Sequence, residues 1–397
     1  MALNLIRNSR VFYTTNLTVT GQVATTGFTT ANTQEIQVQD GFSFSQNTGQ
    51  ETVTVNESGA APVRGQRSFN TSLEPVDWSF STYIRPKFEE GGTSAPALDS
   101  DDFIGAEEAV LWNSLSGTAA IGSAGAGWTK TLGPTTPYST VAFTNSNAHQ
   151  LLAFGLIIRF EDVTYVIDNC AIDSATIDFG LDAIASIAWA GKGTTMRQVA
   201  TAVTLADASG TTTMSGGLTG TGKTKDTTAA YIANKLSTMT MSALAFGGLS
   251  AKAYTLALTG GNLTISNNLT YLTPANLGVV NQPITYFTGT RAITGSVTAY
   301  LKTGANETST LLKDMLAASS SSTENKFATE ISLGGAANTN KVVLTIPTAQ
   351  LTIPAINSEQ IIATSINLTA QGAASGAYDL TAVNELEVKY YATNTTV

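Results

Sequence analysis

Histidine and cysteine each occur once in 397 residues, as His149 and Cys170. A lone cysteine excludes an intrachain disulfide, and one of each excludes a zinc centre built on imidazoles and thiolates. Charge is scarce too: Asp, Glu, Lys and Arg make up 12% of the chain, about half of the usual ~25%. Its balance, 29 acids against 20 bases, argues against a nucleic-acid clamp, which needs clustered Lys and Arg. No apolar run approaches the ~18 residues of a bilayer-crossing helix. The opening MALNLIRNSRVFYTT also lacks the apolar stretch of a secretory leader. Synthesis and folding in a cytoplasm, with no membrane partner, are therefore expected.

What fills the chain is Thr, Ser, Asn, Ala and Gly around a 42% hydrophobic content. That content is enough for real cores and too high for disorder. A polar but weakly charged surface suits a subunit covered by neighbours. Period-two alternation dominates: Val163, Tyr165 and Ile167 share one face, as do Val297, Ala299 and Leu301. Gly-Asn-Ser clusters punctuate these runs, so the class is mainly β. Cys170, inside the apolar YVIDNCAI, reads as a buried inert thiol.

The chain also repeats itself. SFSTYIR at 79–85 returns as SVTAYLK at 296–302, an offset of 217. EEAVLWNSL at 107–115 returns as ETSTLLKDML at 307–316, an offset of 200. Leu111, Trp112 and Leu115 there match Leu311, Leu312 and Met315 at helical spacing. Glu107, Glu108 and Glu307 are expected in the first helical turn, where the helix dipole favours acids. Residues 163–193 align without a gap on 342–372, an offset of 179, pairing Ile177 with Ile356 and Ile187 with Ile366. Shared apolar phase over several strands is informative, because a one-residue slip would turn each strand inside out. Copy one spans roughly 10–193 and copy two 236–372; the shrinking offset gives copy one longer loops at 86–106 and 117–150. The expected division is a first β domain at 1–200, a Thr/Gly/Ser-rich linker at 201–235 and a second β domain at 236–397. LEVKYY in the tail reads as one more strand.

Candidate chemistry is thin. GLTGTGKT at 217–224 fits the phosphate-cradling pattern G-x-x-x-x-G-K-[ST]. That loop needs a buried strand before it, yet DASGTTTMSGG precedes it and no β–α alternation surrounds it. A flexible linker is the better reading, with a nucleotide enzyme using Lys223 as the rival. His149 lies in NSNAHQ with no nucleophile elbow nearby. Asp168, Asp173, Asp178 and Asp182 recur along successive strands and read as solvated or lumen-facing charges rather than a cation site. EEGGTSAPALDSDD at 89–102 reads as a solvated acidic loop. No catalytic residue, cofactor site or metal site is expected.

Three segments carry a resemblance: GQRSFNTSLEPVDWSFSTYIRPKF, TYVIDNCAIDSATIDFGLDAIASIAWAGKG and TPANLGVVNQPITYFTGTRAITGSVTAYLKTG. They are similar to phage tail tube proteins, also called major tail proteins, a family related to the type VI secretion tube protein. The resemblance covers about 10–193 and 236–390. It implies two tandem β-sandwich or barrel domains, each flanked by one short α-helix. It further implies a structural virion protein whose six tube domains per ring stack into a hollow tail that conducts DNA. Partners implied are the chain itself, tape measure, tail terminator and baseplate or tail-tip proteins, and a sheath where the tail contracts; DNA passes without specific binding. Most members have one tube domain per chain, so the doubling here implies three chains per ring with pseudo-sixfold symmetry. The other reading is a β-rich virion or cell-surface protein such as an adhesin, against which the absent leader and the helix inside each repeat argue.

Residues 1–235 hold 21 acids and 13 bases, whereas 236–397 hold 8 and 7. A conduit wall should not retain phosphates, and this uneven split gives a lumen potential of threefold rather than sixfold period. Extended loops near 40–68 and 268–290 are expected to reach the next ring. Deleting 46–62 should leave soluble protein that grows no tubes, as negative-stain microscopy would show; long tubes from that deletion would refute the assignment.

Overall fold

Runs rich in Thr, Val and Ile become strands because branched side chains pack well on a pleated surface. The computed structural model describes residues 9–29, 32–39, 41–53, 66–89, 103–117, 129–131, 138–143, 151–160, 163–199, 204–207, 210–213, 231–244, 250–319, 325–334, 340–353, 355–357, 361–372 and 385–392. The first half holds β1 (Arg10–Thr14), β2 (Thr33–Ile36), β3 (Ser43–Ser45), β4 (Thr48–Val53), β5 (Arg67–Leu73), β6 (Val76–Tyr83), β7 (Pro86–Glu89) and β8 (Phe103–Ala106). Helix α1 (Ala109–Ser116) follows, then β9 (Thr129–Thr131), β10 (Tyr138–Phe143), β11 (Phe154–Arg159), β12 (Thr164–Asp178), β13 (Ser186–Gly193) and β14 (Thr195–Val199). A hairpin of β15 (Thr204–Asp207) and β16 (Gly210–Thr213) stands between the halves. The second half holds β17 (Thr238–Ala243), β18 (Lys252–Thr255), β19 (Leu258–Ser266), β20 (Leu269–Leu272), β21 (Thr285–Thr288) and β22 (Ala292–Tyr300). Helix α2 (Thr308–Ser319) follows, then β23 (Phe327–Leu333), β24 (Lys341–Leu351), β25 (Ala355–Asn357), β26 (Ala363–Ala370) and β27 (Leu386–Tyr391).

Strand pairing repeats between the halves. In the first, neighbours run β2–β1–β11–β12–β13–β6–β3, and β14 also pairs with β12. In the second they run β18–β17–β23–β24–β26–β22–β19, with β27 on β24 in the place of β14. Registers agree as well. Tyr13 faces Leu156 where Met241 faces Thr329, and Phe154 faces Cys170 where Phe327 faces Ala349. Both halves carry a bulge in the same place, between Phe154 and Leu156 and between Phe327 and Thr329.

In each half one long strand serves two sheets. Thr164–Asp168 of β12 pairs with β14, whereas Ala171–Asp178 pairs with β13. The chain bends between them at Asn169, whose φ of 46° lies in the left-handed region that Asn tolerates better than most residues. One apolar core then runs through both halves, taking in Trp112 and Trp189 as well as Leu263, Val297 and Tyr390.

Three expectations need correction. First, the gapless alignment slips by two residues in its last strand: Phe80 faces Trp189 where Val297 faces Ile366, so Trp189, not Ile187, is the counterpart of Ile366. A two-residue slip keeps every side chain on its face, and a pattern of period two cannot register it. Second, part of 201–228, which composition reads as linker, is extended backbone paired as the β15–β16 hairpin. Third, no acid sits in the first turn of either helix; Glu108 is the residue before α1, buried, and Glu307 precedes α2, paired with Lys302 at 2.9 Å. The apolar helix positions are as expected: Leu111, Trp112, Leu115, Leu311 and Met315 are buried.

One cross-strand position shows how the halves keep a shape without keeping residues. Trp78 faces Gly191 in the first half, and Gly295 faces Leu368 in the second, so the large and small partners are exchanged. A Cβ on Gly191 would lie 2.3 Å from the Trp78 ring and 2.3 Å from the Ala171 carbonyl oxygen. Gly191→Leu should therefore cost about 3 kcal/mol by overpacking, and Trp78→Gly a similar amount through the cavity it leaves. Because the pair then copies the second half, the double substitution Trp78→Gly with Gly191→Leu should cost about 1–3 kcal/mol less than the sum in denaturant melts. Strict additivity would contradict the equivalence.

Candidate assembly surfaces

The two halves are joined through their sheets. Ser174–Asp178 at the end of β12 pairs antiparallel with Asn262–Ser266 of β19. Asn267 N–H donates to the Asp173 carbonyl at 2.7 Å and Phe179 N–H to the Gly261 carbonyl at 3.0 Å, one at each end of this ladder. The alternation of an antiparallel pair then makes Ala175–Ile265 and Ile177–Leu263 the hydrogen-bonded pairs. The result is a run of eight neighbouring strands, β3–β6–β13–β12–β19–β22–β26–β25. β27 adds a second joint, pairing with β24 on one side and with β10 on the other. β10 belongs to the long loop 117–150 of the first half.

One face of the eight-stranded run packs on the core and the other is open and hydroxyl-rich. Alternation puts Ser79, Ser81, Thr176, Thr264, Thr294, Ser296, Ser365 and Thr369 on the open side. Hydroxyls meet across strands at Ser43–Ser79 (2.9 Å), Thr176–Thr264 (3.1 Å) and Ser296–Ser365 (3.2 Å). Charges are few and all come from the first half: Asp77 paired with Lys192 at 2.5 Å, exposed Asp178, and Asp173, which accepts the Leu269 N–H at 2.7 Å. β19, β22 and β26 contain no charged residue.

Exposed large apolar side chains gather at the two ends of this sheet. At one end stand two hairpins, β4–β5 and β20–β21, each a separate two-stranded sheet. They carry exposed Val53, Phe69, Leu272, Leu277, Val279, Val280, Ile284 and Phe287. The hairpins touch: Leu73 N–H donates to the Asn281 carbonyl at 2.8 Å, and Asn281 N–H to the Thr71 carbonyl at 3.2 Å. Tyr271 fixes the second hairpin to the first half, its hydroxyl 2.9 Å from the carbonyl oxygens of both Asn169 and Lys192. At the opposite end lie exposed Leu181, Ile184, Tyr231, Leu236, Ile361 and Ile362. Exposed apolar side chains gathered at two opposed ends are the kind of surface that contact sites use.

A buried polar cluster ties α1 to the second half. Trp112 Nε1–H donates to the Tyr390 hydroxyl at 2.8 Å, and that hydroxyl donates to Glu108 Oε1 at 2.5 Å. Asn267 Nδ2 donates to the Leu115 and Ile172 carbonyls, both at 3.1 Å. Burial pushes the Glu108 carboxyl up to about 7 against the opposing hydrogen bond from Tyr390.

Of the aspartates read as solvated or lumen-facing, Asp168 is a correction. It is buried, with Oδ2 accepting Arg197 Nε–H at 2.9 Å and Oδ1 accepting Val23 N–H at 2.7 Å. A guanidinium and a backbone donor satisfy the carboxylate, which is what allows it inside. Asp178 and Asp182 are exposed and Asp173 is half-buried. Cys170 is buried, and burial raises its thiol well above the ordinary range, as an inert thiol requires. His149 and the GLTGTGKT segment with Lys223 lie outside the described residues, as does 90–102 of the acidic loop. Among the described residues no cluster of His, Cys, Asp and Glu could hold a metal ion, and no helix is long and apolar enough to cross a membrane.

A family model described as phage tail tube protein matches residues 59–370. Tail tube protein pb6 of Escherichia phage T5 is 32% identical over 377 residues, covering 93% of this chain and 73% of the relative. The chain belongs to the phage tail tube protein family. It is a structural component of the virion and not an enzyme, and a tail tube protein must assemble with itself and with other tail components.

The Glu108 cluster gives this tail tube protein a testable pH response. A carboxyl raised from 4.5 in the unfolded chain to about 7 in the fold makes the native state hold the extra proton. Its contribution is therefore fully present below the unfolded value and is lost as pH rises through about 7. Glu108→Gln keeps an acceptor for Tyr390 and cannot ionise. It should gain about 3 kcal/mol over wild type at pH 8 relative to pH 4.5, read in paired thermal or denaturant melts. A wild type and variant that track each other from pH 4.5 to 8 would contradict a buried, titrating Glu108.

Proposed function

We propose that three copies of this tail tube protein close into one ring with pseudo-sixfold symmetry, and that rings stack head to tail into the hollow tube that conducts DNA at ejection. Each chain contributes two tube modules, at 1–200 and 236–397, joined through 201–235. The observation that carries this reading is the repetition of the strand order and register in both halves, joined edge to edge into an eight-stranded run. An exposed sheet edge is a template for further pairing, and a ring removes both edges at once. Three chains would close 24 strands. With ~4.8 Å between strands and a tilt of about 40°, that barrel is about 48 Å across between backbones, ample for a duplex.

Two further features support the reading. The open face, as lumen wall, offers hydroxyls and almost no positive charge, so a passing phosphate backbone finds nothing to hold it. Its charged residues belong to the first half only, which fits a threefold rather than sixfold electrostatic repeat. The apolar hairpin end and the apolar opposite end suit a head-to-tail contact, which propagates because it does not close on itself. The partners proposed at the tube's ends and interior are tape measure, terminator and baseplate or tail-tip proteins, with a sheath in a contractile tail.

End-on averages of assembled tubes should show six similar lobes related by threefold symmetry. True sixfold identity, or a lobe count other than six, would count against the ring. Leu277→Asp with Val279→Asp should leave the chain folded while abolishing tube growth; tubes of normal length from this variant would remove the hairpins from the stacking contact.

A further inference from the structure

The joint inside one chain specifies the joint between chains. The equivalences established by pairing place β25 where the end of β12 lies, since Ile177 faces Ile187 in one half and Ile356 faces Thr364 in the other. They likewise place β3 where β19 lies: Phe44 faces Trp78 as Leu263 faces Gly295. β12 and β19 pair with each other; β25 pairs with β26 alone and β3 with β6 alone among the described residues. Among the described residues, each half therefore has one edge that is filled at the internal joint and one with no strand beside it.

Resting on the three-chain ring, we infer that β25 of one chain pairs antiparallel with β3 of a second copy, with Ile356 opposite Phe44, Ala355 opposite Ser45 and Asn357 opposite Ser43. The occupant of each open edge is thus the other open edge of this same protein. Side-chain burial fits an unfilled partner position. Leu263, inside the internal joint, is fully covered, whereas Phe44 at the equivalent place is only half-covered, although it packs near Phe42 and Tyr165. Ile353, just before β25 on the same edge, is half exposed.

The joint between chains is also the shorter of the two. The internal ladder has five residue pairs and is backed by the six pairs of β10 with β27. Residues described in β25 and β3 allow three. Only seven residues, 320–326, separate α2 from β23, so the second half has no room for a counterpart of the long loop that supplies β10.

Ser45 and Ala355 take the places of Thr264 and Thr176, a non-hydrogen-bonded pair by the alternation above. Such pairs bring Cα atoms to ~4.5 Å, within disulfide range. Oxidising assembled tubes of Ser45→Cys with Ala355→Cys should give a non-reducing ladder that stops at three chains; native Cys170 is buried and stays out of it. Ser45→Cys with Asn367→Cys, one strand further in, should stay uncrosslinked. Intact tubes without the crosslink would overturn this register and leave the ring reading standing. A ladder stopping at another number would support the register and overturn the three-chain ring. Ile356→Pro gives an independent reading, because the equivalent Ile177 N–H serves the joint and not the ladder to β13. It should melt like wild type and form no rings, whereas normal rings would overturn the proposal.

Discussion

Everything in this structure depends on the ladder by which β12 hands its edge to β19. A strand edge carries unpaired N–H and C=O groups that must be hydrogen-bonded somewhere once water is removed. Here the second half supplies them, through the hydrogen-bonded pairs Ala175–Ile265 and Ile177–Leu263. That single join converts two modest four-stranded layers into one eight-stranded surface. It also fixes the relative rotation of the halves, since a register error would turn Ile177 and Leu263 out of the core. The hydroxyl face, the apolar ends and the two open edges are consequences of where this ladder puts the halves.

The join is not left to one ladder. β10, an insertion present only in the first half, grips β27 from the second. Tyr390 on β27 reaches under α1 to Trp112 and Glu108. Asn267, immediately after β19, bonds to carbonyls at the end of α1 and on β12. The long loop of the first half thus clamps the second, and among the described residues the second half shows no equivalent clamp. Carrying both halves on one chain also gives the internal joint a high effective concentration.

Much of the fold was legible in the sequence because period-two and helical spacing report burial directly. The β class, the helices around Leu111–Leu115 and Leu311–Met315, and the twin strands at 79–85 and 296–302 all follow from such patterns. What escaped did so for physical reasons. The two-residue slip between β13 and β26 preserves every face and leaves no trace in the pattern. The burial of Asp168 depends on Arg197 and Val23, 29 and 145 residues away. The placement of Glu108 under Tyr390 depends on a strand 282 residues downstream. The Trp78–Gly191 and Gly295–Leu368 exchange lowers identity between the halves while conserving the packed volume across a strand pair. The assembly surfaces were readable only in outline: composition showed a weakly charged skin, but which residues share the open face requires the pairing.

Backbone amide hydrogen exchange, compared between unassembled chain and tube, tests the central claim most directly. Ala175 and Ile177, whose N–H groups serve the internal ladder, should be protected in both states, and Phe44 and Ile356 should become protected only on assembly. Fast exchange at Ala175 and Ile177 in the free chain, or unchanged exchange at Phe44 and Ile356 in the tube, would contradict a wall built by continuing one ladder from half to half and from chain to chain.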